Sequence, residues 1–111
     1  MKKISYLMTA ASIFLMASSM AMAYEWQVVS KVTLVQPGYM PNEVSFQLSG
    51  SAGSCPAGTW MRWVPTGTTE AQKIANANAV YSTLMTALVT GKDVRIYGVN
   101  DRCTVEFLHM F

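Results

Sequence analysis

The sequence predicts a small, mainly β domain of the α+β class, with five strands and one helix inserted between the third and the fourth. Three observations predict it. The first 23 residues read as a removable export signal, the remainder alternates apolar and polar residues in short runs, and only one stretch carries a helical stripe. In the signal, Lys2 and Lys3 precede an apolar run from Ile4 through Met16, and Ala21-Met22-Ala23 forms an A-x-A type cleavage site. Cleavage is expected between Ala23 and Tyr24, which makes residues 24–111 a single domain and the protein secreted or periplasmic.

Loss of that segment changes the composition. It removes two of the eight basic residues and five of the nine methionines but none of the six acids, so the formal charge of +2 falls to zero. No cationic field is left to argue for nucleic acid or an anionic membrane. No later segment reaches the roughly 18 apolar residues of a membrane span.

The first strand is expected over Tyr24 to Val35, with Trp26, Val28, Val32 and Leu34 on one parity and Val29, Lys31 and Thr33 on the other. Pro37-Gly38 reads as a type II turn, proline presetting the first corner and glycine taking a positive φ at the second. In the second strand Val44, Phe46 and Leu48 alternate with Ser45, Gln47 and Ser49. A Ser/Gly/Ala/Pro loop from Ser49 to Gly58 follows. The third strand, Thr59 to Val64, stops at Pro65.

The helix is predicted over Glu70 to Thr90. Thr69 and Gln72 fit a capping box, and Glu70 places a negative charge in the first turn, where the helix dipole favours it. Ile74, Ala77, Tyr81, Leu84 and Leu88 form one stripe, while Gln72, Asn76, Thr83, Thr86 and Thr90 lie away from it. Gly91 is placed to end the helix in a left-handed conformation, with Lys92 beyond it. Val94 to Val99 is the fourth strand and Asn100-Asp101 a turn. The fifth strand, Cys103 to Phe111, puts Cys103, Val105, Phe107, His109 and Phe111 on one parity and Thr104, Glu106, Leu108 and Met110 on the other.

Five strands with a helix after the third is the order of an oligonucleotide/oligosaccharide-binding (OB) barrel. A twisted antiparallel sheet with the helix on one face is the alternative. Cys55 and Cys103 are the only cysteines, and in an oxidising compartment such a pair is expected to be bonded. Closing the loop between them would stabilise so small a domain by about 4 kcal/mol in the chain-entropy model.

From Tyr81-Ser82-Thr83 through Thr90-Gly91-Lys92-Asp93-Val94-Arg95-Ile96-Tyr97 the chain resembles the B subunits of subtilase-cytotoxin-type and typhoid-toxin-type bacterial toxins, in which a helix runs directly into a Val-Arg-Ile strand. The resemblance implies an OB barrel, a pentameric ring and a host glycan ligand. That family's sialic-acid-gripping serine motif has no counterpart in Tyr24 to Val35 and its cysteines are placed differently, so no sugar-binding residue carries over.

Catalytic chemistry finds little support. The single histidine, His109, lies near the chain end on an otherwise apolar parity, where a packed or edge-strand role is expected rather than a general base. Neither a metal nor a cofactor is expected, because the sequence offers no ligand spacing, and Glu43, Asp93, Asp101 and Glu106 read as surface positions rather than a glycosidase pair. The cluster Trp60-Met61-Arg62-Trp63 is more suggestive. Alternation puts Trp60 with Arg62 on one face and Met61 with Trp63 on the other, sending one tryptophan inward and one towards solvent or a partner, unless both are packed. Arg95 and Tyr97 form a second outward pair. Trp60, Arg62, Trp63, Arg95 and Tyr97 are thus the ligand or interface candidates of a non-enzymatic binding module, or of a structural subunit whose ligand is another protein.

Overall fold

The computed structural model describes residues 24–111. The export segment and its cleavage site after Ala23 lie outside the described residues. The strands are β1 (Trp26–Gln36), β2 (Val44–Leu48), β3 (Met61–Trp63), β4 (Asp93–Val99) and β5 (Thr104–Met110), and the helix is α1 (Glu70–Thr90), between β3 and β4. The strands form one mixed sheet that closes on itself in the order β1-β2-β3-β5-β4. It is not wholly antiparallel, because β3 and β5 run parallel, paired only at Arg62 with Thr104 and Trp63 with Val105.

Closure depends on β1 serving two neighbours. Its first half, Trp26 to Lys31, pairs with β4, and its second half, Val32 to Gln36, pairs with β2. Between them the register slips at Thr33, since Val32 faces Leu48 and Leu34 faces Gln47. An extra residue of this kind bends the strand and reverses its sidedness. Leu34, on the same parity as the buried Trp26 and Val32, is therefore exposed, and Val35 packs on the core instead.

A second slip lies in β5. Gly98 faces Val105 but Tyr97 faces Phe107, which leaves Glu106 as the extra residue. Val105 is buried as expected; beyond the bulge Leu108 packs inward, while Phe107 and His109, expected on the parity of Val105, turn outward.

The turn after β1 also differs from expectation. Gly38 does not adopt a positive φ, so no type II corner forms there. Met40 N–H donates to Pro37 C=O at 3.0 Å, which makes Pro37 the first residue of the turn, and Tyr39 C=O then accepts from Asn42 and Glu43.

The interior is apolar, with Val44, Phe46, Met61, Leu84, Val94 and Ile96 at 2% exposure or less. Trp26 lies across Gly98, its β4 partner. A Cβ at Gly98 would come within 2.6 Å of the indole and strike the Thr104 carbonyl, so only glycine fits. The helix begins with the expected capping box, and Gly91 (φ 73°) ends it by donating its N–H to Ala87 C=O. Its buried line is Ala77, Val80, Leu84 and Ala87, with Tyr81 and Leu88 at the flank. Ile74, expected on the stripe, is 41% exposed because it lies before the first buried residue of the helix, Ala77. The small alanines allow close approach and set the line.

Cys55 and Cys103 are disulfide-bonded, Cα atoms 6.0 Å apart. The bond joins the loop before β3 to the turn before β5, where Arg102 (φ 53°) and Cys103 (φ 51°) both sit in the left-handed region that costs a non-glycine residue about 1 kcal/mol or more. Neighbouring bonds hold the turn. Asn100 N–H donates to Glu25 Oε1 at 2.7 Å, and Asn100 Oδ1 accepts from Ser54 N–H at 2.9 Å.

Candidate binding face

Register places an ordered set of side chains on the outer surface of β1, β4 and β5. Along β4, Val94, Ile96 and Gly98 point into the barrel, so Asp93, Arg95 and Tyr97 point out. Across the ladders Tyr97 lies between Gln27 and Phe107, Arg95 between Val29 and His109, and Asp93 beside Lys31. Phe111 continues β5 by donating its N–H to Asp93 C=O, and Tyr24 closes the other end of the face.

The rings touch. Tyr97 has centroid separations of 5.1 Å to Tyr24, 6.0 Å to Phe107 and 5.6 Å to His109, and Phe107 lies 5.3 Å from His109. Such pairs are worth about 0.5 to 1.5 kcal/mol each beyond their buried area. The face nevertheless remains open, with Phe107 47%, Val29 46% and Phe111 56% exposed.

Arg95 supplies the charge. Its guanidinium carbon sits 4.9 Å from the Phe111 ring centroid, a cation–π arrangement. Its Nε is buried without a hydrogen-bond partner, and the ion pairs among the described residues, Lys31 with Asp93 at 2.7 Å and Arg62 with Glu43 at 3.1 Å, do not include it. The acid on this face is therefore already held by Lys31.

The other candidates do not converge. Trp63 is buried, its indole N–H donating to Asn76 Oδ1 at 2.7 Å, and Asn76 also accepts from Thr66 N–H at 3.0 Å. Asn76, expected on the outward side of the helix, thus ties α1 to the end of β3. Arg62 is committed to Glu43, which also accepts from Ser45 Oγ. Trp60, just before β3, is the exposed tryptophan at 47% and stands apart from the aromatic grid. Alternation put Trp60 and Trp63 on opposite faces but left open whether both were packed; the structure buries Trp63 and exposes Trp60.

A cleft of about 270 Å³, lined by Trp63, Val64, Pro65, Thr66, Thr104, Val105 and Glu106, opens where β3 parts from β5. Among the described residues no group of three or more His, Cys, Asp or Glu could hold a metal ion. Also among them, no helix is long and apolar enough to cross a membrane. The chain matches no family model, no curated protein and no solved structure.

Tyr24, Phe107, His109 and Phe111 were not recognised as site residues from the sequence. Phe107, His109 and Phe111 share a parity with the buried Val105, and only the bulge at Glu106 turns them out. The signal present in the sequence was the density of aromatic residues at the end of the chain.

Proposed function

We propose that this protein is an exported, non-enzymatic binding module built on an OB-like barrel, which engages its ligand through the outer face of β1, β4 and β5. One observation carries the reading: Tyr24, Tyr97 and Phe107 form a surface aromatic cluster, Phe107 exposed and both tyrosines half-buried, with Arg95 and His109 beside it. Aromatic and arginine side chains that stay partly solvated in the free protein are those that contribute most when a partner desolvates them. The surroundings of His109 support binding over acid–base chemistry, since its neighbours are the rings of Tyr97 and Phe107.

The ligand is a glycan in the reading that the toxin resemblance implies, and a protein in the second. A glycan array probed with the oxidised protein separates them. Signal that disappears in Phe107→Ala supports the sugar, and uniform background removes it. Hydrolysis of any substrate that is lost in His109→Ala would overturn the non-enzymatic reading.

Assembly into a homo-oligomer, a pentamer by the same resemblance, belongs to this proposal, and so does export with cleavage after Ala23. Light scattering on wild type and on Trp60→Ala tests the first, and Trp60 is the right probe because Trp63 is committed to the core. Mass spectrometry of the exported protein tests the second, with Tyr24 expected as the first residue.

A further inference from the structure

We propose, building on the binding-face reading above, that the partner is a protein segment presenting a carboxylate flanked by apolar side chains, with the carboxylate seated on Arg95 and the apolar groups on Tyr97 and Phe107. The charge is the first argument. Arg95 lies at the centre of the grid with its guanidinium carbon 4.9 Å from the Phe111 ring centroid, and neither ion pair among the described residues includes it. A guanidinium held in a set orientation with unused donors matches a carboxylate, and in a partly desolvated setting that bond is stronger than a neutral one.

The composition is the second. Phe, Tyr and Arg at the centre, with the Lys31–Asp93 pair at one margin, is the make-up of a protein interface core, where Lys, Glu and Asp are depleted. Three strands about 4.8 Å apart, read over about five residues, give a patch of roughly 10 by 15 Å. That is the scale of the central anchors of an interface rather than of a whole one.

Two other occupants fit less well. A sugar requires several polar side chains converging on its hydroxyls, and beside Arg95 and His109 this grid offers only Gln27 and the tyrosyl hydroxyls. Its rings are also tilted by 34° to 47°, or set edge-on at 77°, so they present no shared flat platform. A second copy docked through the same face about a twofold axis would oppose Arg95 and His109 to one another, because the acid on the face is bound to Lys31.

The test is a nitrogen-15 NMR titration of the oxidised exported protein with acetyl-Leu-Glu-Phe-amide and its Gln counterpart. The Glu peptide should shift the Arg95, Tyr97 and Phe107 resonances and bind at least about tenfold more tightly than the Gln peptide. In Arg95→Gln, whose spectrum verifies the fold, that preference should vanish. Equal binding of both peptides at Phe107 and Tyr97 would overturn the carboxylate inference while leaving the binding face standing. No perturbation of the face by either peptide would count against both. Tighter binding of methyl glucuronide than of the Glu peptide would assign the site to a carboxylated sugar. Concentration-dependent shifts at the face without any peptide would assign it to self-association. Either result overturns the proposal.

Discussion

Asn76 shows how much a single polar atom can hold in a thin domain. Its Oδ1 accepts from the Trp63 indole and from the Thr66 backbone, so one helix side chain fixes the orientation of a core ring and the path of the chain entering the helix. Asn76→Ala strands a buried indole N–H and should destabilise by about 1 to 3 kcal/mol. Urea unfolding followed by tryptophan fluorescence measures it, with Trp60→Ala, at an exposed site, expected within about 0.5 kcal/mol of wild type. At this scale the pairing of Cys55 with Cys103 was readable, since a count of two cysteines leaves one partner. The role of Asn76 was not, because an asparagine carries no periodic signal and its acceptor matters only once β3 and α1 meet. Arg95 was recognised as outward from the alternation of β4, but its lack of an acidic partner emerges only from the placement of Asp93 beside Lys31.

Elements were legible where the signal is local. Both halves of the capping box and the left-handed Gly91 stand where the sequence put them, because a cap is made within a few residues of itself. Thr69→Ala should cost about 1 kcal/mol, read as a fall in the midpoint of chemical unfolding, and Thr69→Asp should restore it. Strands were legible in number and poorly in sidedness. Alternation is a property of the pleat and holds only until an extra residue enters, and both bulges, at Thr33 and Glu106, reverse it part-way along a strand. The same limit applies to α1, whose apolar residues span a wider arc than the barrel covers, so that Val80 and Ala87 are buried and Ile74 is exposed.

The whole molecule is closed by unequal joints. The β4–β5 ladder runs the length of β5 and the β1–β4 ladder takes six residues of β1, whereas β3 and β5 share only two residue pairs. The disulfide anchors that short parallel joint, because Cys103 immediately precedes Thr104, the first residue of β5 to pair with β3. With the cysteines 48 residues apart in sequence, Cys55→Ser/Cys103→Ser should lose about 4 kcal/mol, measured by urea denaturation against the oxidised protein. A loss below about 1 kcal/mol would mean that the β3–β5 joint and the Asn100 network hold the barrel without the bond.

By itself the sequence determined the order of five strands and one long helix, the helix caps and the cysteine pairing. Each follows from interactions between residues close in the chain, or from a count that leaves one choice. Tertiary structure alone decided where β1 and β5 change sides, and hence that Phe107 and His109 join Arg95 and Tyr97 on one open face. A bulge is set by the register of two strands against each other, and no pattern within one strand records its partner.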